Sequence, residues 1–107
     1  MRTWLAGVGL AVAIASLGLP STRADAACGR EGVYVYETSW CPYCNRLRQM
    51  LVRNHVNYTS YDIDKDRRAF SFMKEHYKTT AIPVIVIDGS YVVGFNESRI
   101  RQLLCIR

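Results

Sequence analysis

The amino-acid sequence predicts one α/β domain whose elements follow the order β-α-β-α-β-β-α. Three observations predict this fold class. Two runs of β-branched and aromatic residues are each followed by apolar residues at helical spacing. A continuous apolar run at 82–87 has the length of a strand buried between two layers. It leads into Asp88-Gly89, a pair typical of a tight hairpin turn.

The first 26 residues have the layout of a secretory signal peptide. Arg2 gives a positive start, an uncharged run extends from Trp4 to Leu19, and Ala24-Asp25-Ala26 offers a small-residue cleavage site. The run is shorter than the ~20 residues that a membrane-spanning helix needs. We therefore expect export to a periplasmic or extracellular space, with residues 27–107 as the mature domain. If the segment were not cleaved, it would attach the protein to a membrane.

The first half of this domain is predicted to contain a strand, a helix and a second strand. Residues 33–36 are β-branched and aromatic, which favours a strand. Pro42 suits the first position of a helix, because its missing N–H would be unpaired there anyway. Apolar residues at helical spacing then predict a helix to about Asn54. Residues 58–63 are predicted to form the second strand.

The second half is predicted to contain a helix, a β-hairpin and a last helix. Apolar residues three and four apart predict a helix over 67–77. The buried strand at 82–87 pairs with 91–93 across the turn, and Asn96 is a good cap for a helix over 97–105. Two βα units imply a parallel pair, and the hairpin adds antiparallel strands. We expect a four-stranded mixed sheet with helices on both faces.

The net charge of +5 is a mild basic excess. It does not imply a nucleic-acid partner, and we expect none. We expect the basic residues mainly on solvated helix faces, the alternative being a partner-binding patch. These residues are spread along the chain: Arg46, Arg48, Arg53, Lys65, Arg67, Arg68, Arg99 and Arg101.

The motif Cys41-Pro42-Tyr43-Cys44 lies at a predicted strand-to-helix junction. A cysteine at a helix N-terminus faces unpaired N–H groups and the positive end of the helix dipole, which stabilise its thiolate. Cys44 lies one turn further and should be more buried. We therefore expect Cys41 to attack a substrate disulfide and Cys44 to resolve the mixed disulfide. Tyr43, at the rim, is positioned to contact substrate.

Two other uses of the cysteine pair are less favoured. A zinc site would need a second close cysteine pair or histidines at zinc spacing, and His55 and His76 show no such pattern. A purely structural disulfide across so tight a ring is unusual. The sequence therefore favours redox chemistry, with no metal site.

These motifs resemble the dithiol glutaredoxins over residues 33–104. The resemblance rests on Tyr36 followed by the Cys-Pro-Tyr-Cys motif, Ile82-Pro83 before a buried strand, the Asp88-Gly89 turn, and Gly94 before the last helix. It implies a thioredoxin fold with Pro83 in cis, facing the cysteine pair. It also implies that the backbone of Ile82 pairs with a bound peptide or glutathione, and that Gly94, Phe95 and Asn96 belong to the substrate-binding set.

The chain departs from the glutaredoxin pattern at three positions. Thr38 stands where many members have Lys or Arg, Ala81 where Thr is common, and Phe95 where a second glycine is usual. The Gly94-Phe95 pair resembles the glutaredoxin-like electron donors of ribonucleotide reductase, and Trp40 before the motif resembles thioredoxin. No bound cofactor is expected; glutathione is a candidate reductant, and dependence on it stays open.

Cys28 and Cys105 flank the domain. We expect a structural disulfide that ties the two ends together; a second redox pair and unpaired thiols are the alternatives. Export favours a disulfide, because disulfides persist outside the cytosol.

Three functions are compatible with these motifs. The first is reduction of protein disulfides or glutathione-mixed disulfides by the Cys41/Cys44 dithiol. The second is disulfide formation or isomerisation outside the cytosol by the same pair, which export favours. The third is a binding module in which two protomers share an iron–sulfur cluster through Cys41.

Overall fold

The computed structural model describes Cys28 and residues 31–107; the predicted signal peptide lies outside these residues. The elements are β1 (Val33–Glu37), α1 (Pro42–Arg53), β2 (Thr59–Asp62), α2 (Arg67–His76), β3 (Val84–Ile87), β4 (Ser90–Val93) and α3 (Glu97–Leu104). This is the predicted order, and the fold class is confirmed. No helix within the described part of the chain is long and apolar enough to cross a membrane.

The four strands form one mixed sheet in the order β2-β1-β3-β4. β1 runs parallel to β2 and antiparallel to β3, and β3 runs antiparallel to β4. Tyr36 near the end of β1 lies opposite both Tyr61 and Val84. The loop after β1 leads directly into α1. Residues 38–41 therefore lie at the C-terminal end of the central strand β1.

Helices cover both faces of the sheet, as predicted. On one face, apolar residues of α1 and α3 pack with those of the strands: Val33, Val35, Leu47, Met50, Leu51, Ile85, Ile87, Val92, Ile100 and Leu104. On the other face α2 contributes Ala69 and Met73 against Tyr36, Val84 and Val86. Burial of these side chains is the main force that holds α1 on the sheet.

The hairpin turn is tied to the start of β1. Asp88 and Gly89 have positive φ values of 46° and 93°, which suit the predicted two-residue turn between β3 and β4. The carboxylate of Asp88 accepts a hydrogen bond from the Gly32 amide at 2.7 Å, and the Asp88 amide donates to the Gly32 carbonyl at 2.8 Å. These bonds fix the turn against the central strand.

The predicted strand at 82–87 begins two residues later in the structure. β3 starts at Val84, and the Ile82–Pro83 peptide bond is cis. A proline has no N–H to donate to a strand ladder, so Pro83 precedes the strand and is not part of it. The predicted strand at 58–63 is likewise shorter, because only Thr59–Asp62 pairs with β1.

Candidate redox site

Cys41 is the N-cap residue of α1. Its backbone is extended, with φ −80° and ψ 120°, and its carbonyl accepts the first helical hydrogen bond, from the Asn45 amide, at 3.0 Å. Its sulfur accepts a hydrogen bond from the Cys44 amide at 3.3 Å. The sulfur therefore occupies the place where an N-cap side chain satisfies an otherwise unpaired amide. The sulfur thus lies beside unpaired amide N–H groups at the positive end of the helix dipole.

Cys44 lies one turn further along α1 and is completely buried, whereas Cys41 keeps 6% of its surface exposed. Burial, together with a hydrogen bond to Cys41, raises the pKa of the Cys44 thiol to about 12. A hydrogen bond with the backbone of Thr38 acts on this pKa in the opposite direction. Cys44 is thus a protonated thiol at neutral pH. The two sulfurs are not joined in a disulfide in this structure.

Two exposed aromatic residues, Trp40 and Tyr43, flank Cys41 in or next to the motif. Trp40 is 68% exposed, and its indole N–H donates a hydrogen bond to the Asp64 carboxylate at 2.7 Å. Tyr43 is 56% exposed, and the Arg46 guanidinium lies 5.4 Å from the centre of its ring. Tyr43 therefore lies at an open rim, in the position from which the sequence predicts contact with substrate.

The other residues predicted to bind substrate lie in the segments that flank the hairpin. Pro83 is buried, and its carbonyl accepts a hydrogen bond from the Gly94 amide at 2.7 Å, which joins the two segments. Ile82, Gly94 and Phe95 are partly exposed. The Asn96 side chain accepts from the Arg99 amide at 3.2 Å, so it caps α3. The predicted substrate contacts of these residues stay a prediction.

A polar network around one buried carboxylate lies next to the site and was not predicted. Glu37, at the end of β1, is only 3% exposed; it is ion-paired with Arg48 of α1 and accepts a hydrogen bond from the Ser60 hydroxyl. Arg48 also donates to the Thr38 carbonyl at 3.4 Å. Arg48 is only partly solvated, with 28% of its side chain exposed, because its guanidinium reaches the buried Glu37 carboxylate. The Glu37 charge is one of the groups that raise the pKa of Cys44.

Thr38 lies between this network and the cysteines. Its side chain is buried, and its hydroxyl oxygen has no hydrogen-bond partner among the described residues. Many glutaredoxins carry a basic residue at this position. The sequence signal for a buried hydroxyl was absent, because a threonine after a strand is equally common on the surface.

Cys28 and Cys105 are joined by a disulfide across 77 positions of sequence, with their Cα atoms 5.4 Å apart. Cys105 follows α3 as its C-cap in the left-handed conformation. This bond lies outside the Cys41–Cys44 motif. Across Cys28 and residues 31–107, no group of three or more His, Cys, Asp or Glu side chains is arranged to hold a metal ion.

Comparisons with known proteins agree with this geometry. A sequence model of the glutaredoxin family matches residues 33–92. A glutaredoxin-named protein of Mycobacterium tuberculosis, Rv3198A, is 44% identical over 72 residues, which cover 65% of this chain and 86% of the relative. A glutaredoxin-like 8.6 kDa protein in the rubredoxin operon of Clostridium pasteurianum is 29% identical over 67% of this chain and 96% of its own length.

Solved structures give the same result. The crystal structure of the thioredoxin-like protein BC3987 matches with a TM-score of 0.65 and 35% identity, covering 67% of this chain and 99% of that one. The fold is thus thioredoxin-like, and it presents two thiols at a helix N-terminus. The chain belongs to the glutaredoxin family. Membership supports a role as a thiol–disulfide oxidoreductase, as the sequence predicted.

Proposed function

We propose that this protein reduces disulfides of proteins or glutathione-mixed disulfides through Cys41 and Cys44. The observation that carries the proposal is the unequal pair of thiols at the start of α1. The Cys41 sulfur accepts a hydrogen bond from the Cys44 amide at 3.3 Å, and Cys41 is 6% exposed. Cys44 is completely buried, and the pKa of its thiol is raised. One sulfur is thus suited to attack as a thiolate, and the other is held as a thiol until it is needed.

The proposed reaction has two exchange steps. The Cys41 thiolate attacks one sulfur of the substrate disulfide, the substrate S–S bond breaks, and its other sulfur leaves and takes up a proton. Cys44 then loses its proton and attacks the Cys41 sulfur of the mixed disulfide. The second substrate sulfur leaves as a thiol, and the Cys41–Cys44 disulfide remains. Two electrons have passed to the substrate, and a thiol donor such as glutathione must return them.

Turnover of a peptide disulfide by single-cysteine variants tests this assignment. Cys41→Ser should abolish reduction, because the attacking sulfur is lost. Cys44→Ser should stop at a mixed disulfide that mass spectrometry detects on Cys41. Cys28→Ser/Cys105→Ser leaves the motif unchanged and is the matched control; it should keep turnover at a temperature where circular dichroism shows it folded. Activity retained in Cys41→Ser, or a mixed disulfide on Cys44, would reject this division of roles between the two cysteines.

We also propose export, and with it an alternative direction of electron flow. Residues 1–26 support export, and a compartment without a cytosolic supply of glutathione favours an oxidase or isomerase. The reduction potential of the Cys41–Cys44 couple decides the direction. A value of about −200 to −230 mV is typical of glutaredoxins and favours a reductase, whereas about −120 to −180 mV favours an oxidase or isomerase. N-terminal sequencing of the secreted protein tests cleavage after Ala26.

A further inference from the structure

A basic groove lies between α1 and α3, next to the redox motif. Its cavity measures about 390 Å³. The charged and aromatic side chains that line it are Arg46, Arg53, Arg101, Arg107, Phe95 and Glu97. Four guanidinium groups therefore share this groove with one carboxylate side chain.

Part of this positive charge has no ion-pair partner among Cys28 and residues 31–107. Glu97 is ion-paired with Arg101 at 2.9 Å, so its carboxylate is already engaged. Within the described part of the chain, neither Arg46 nor Arg53 forms an ion pair, and both side chains are exposed. Two solvated guanidinium groups at the groove wall are thus available to an incoming anion.

Two groups of opposite charge contact the aromatic residues of the redox motif. Trp40, directly before Cys41, contacts Asp64, which lies with Asp62 and Asp66 between the end of β2 and the start of α2. Tyr43, inside the motif, contacts Arg46, which lines the groove. A polypeptide that brings its disulfide to Cys41 therefore meets acidic groups beside Trp40 and basic groups beside Tyr43.

We propose that the groove between α1 and α3 binds an acidic segment next to the disulfide of a protein substrate. The inference rests on the proposed function, because it names the substrate class of the same site. Guanidinium groups bind carboxylates through two parallel hydrogen bonds, which gives orientation as well as affinity. The closeness of Arg46 to Tyr43 makes the groove continuous with the rim of the redox site, so groove and cysteine contact the same molecule.

Binding of labelled peptides to the full chain tests the groove without any redox step. Two cysteine-free fluorescent peptides are compared, one with four glutamates and one with four glutamines. Fluorescence anisotropy should show that the acidic peptide binds about tenfold more tightly, the effect of two exposed ion pairs. This ratio should fall to about 1 in Arg46→Gln/Arg53→Gln. Arg67→Gln/Arg68→Gln, which removes two exposed arginines of α2, should keep it.

Equal binding of the two peptides by the unmodified protein would overturn the proposal, as would loss of the ratio in the α2 variant alone. Disulfide forms of the same peptides and glutathione disulfide are then assayed for reduction. If no disulfide is reduced, the proposed function is rejected. The ratio of the two peptide affinities still tests whether the groove binds an acidic segment. If reduction of glutathione disulfide alone depends on Arg46 and Arg53, the ligand is a small acidic disulfide, and the proposal of a protein segment is rejected.

Discussion

The carboxylate of Glu37 at the end of β1 is ion-paired with the guanidinium of Arg48 in α1. Ser60 of β2 donates a hydrogen bond to the same carboxylate. Three elements thus meet at one buried group, four residues before Cys41 in the chain. The pair joins the strand that leads into the redox motif to the helix that begins there.

Removal of the Arg48 side chain should destabilise the protein strongly. Arg48→Ala leaves the nearly buried Glu37 carboxylate without its counter-charge, a change that costs about 3 kcal/mol in comparable buried pairs. Arg46→Ala is the control on the same helix, since Arg46 is exposed and in no ion pair within the described residues. Urea denaturation followed by circular dichroism measures both. Equal losses in the two variants would mean that the buried pair contributes nothing.

A second prediction concerns the Thr38 hydroxyl. It is buried without a partner among the described residues, so it carries a desolvation cost and no compensating hydrogen bond. Thr38→Val keeps the shape and removes this group, and should raise the free energy of unfolding by about 1 kcal/mol. Thr59→Val, at an exposed position of β2, is the control and should change it less. A loss of stability in Thr38→Val would show that the hydroxyl has a partner after all.

The raised pKa of Cys44 gives a third prediction, for stability at alkaline pH. The pKa rises from its ordinary value of 9.0 to about 12 in the folded protein. Between these values the unfolded chain releases the Cys44 proton and the folded protein keeps it. The contribution of Cys44 to stability is therefore fully present below about pH 9 and is lost as pH rises toward 12, by at most about 1.4 kcal/mol for each pH unit.

Two variants without redox activity isolate this effect. Cys41→Ser keeps Cys44 as a thiol with the Cys28–Cys105 disulfide intact, and it retains burial, the largest cause of the raised pKa. Cys41→Ser/Cys44→Ser lacks the thiol. The difference in their free energies of unfolding should be constant below about pH 8. Above about pH 9, the free energy of unfolding of Cys41→Ser should fall relative to that of Cys41→Ser/Cys44→Ser. Other groups that titrate in this range, including Tyr36, Tyr58 and Tyr77, are common to both proteins. A difference that is constant up to about pH 11 would mean that Cys44 is not protected from ionisation.

The fourth prediction concerns the disulfide between Cys28 and Cys105. It closes a loop of 77 positions. For a loop of this length, loss of unfolded-state entropy corresponds to an upper value of about 4.5 kcal/mol. Cys28→Ser/Cys105→Ser should lower the free energy of unfolding by up to this amount, whereas Cys41→Ser should change it little, because serine is also a good N-cap residue. Unchanged thermal stability in the first variant would mean that the bond does not constrain the unfolded chain.

The sequence could predict the features that have local signals. Pro42 marks the start of α1, Asp88-Gly89 the hairpin turn, and Asn96 the cap of α3, because each depends on the backbone within a few residues. The bounds of β2 at Thr59 and Asp62 depend on pairing with β1, whereas the start of β3 at Val84 follows from Pro83, a local signal that the strand prediction did not use.

Contacts between residues that are distant in the sequence could not be predicted from these local patterns. The Trp40–Asp64 bond joins residues 24 positions apart, and the partial burial of Arg48 depends on the position of Glu37 at the end of β1. A charged residue on a helix has the same local sequence signal whether its head group faces water or a buried carboxylate. The basic groove is a further case, since it forms only when α3 packs beside α1.

The Cys28–Cys105 bond also changes the connectivity of the molecule, since the described domain becomes a covalent ring. A protease that cuts once inside it, for example in the exposed turn at Asp88-Gly89, makes a nicked ring and not two fragments. The nicked protein should migrate as one band without reductant and as two bands with it. A ring also allows new chain ends to be placed at that turn, with the residues of α1 and α3 left in their original positions.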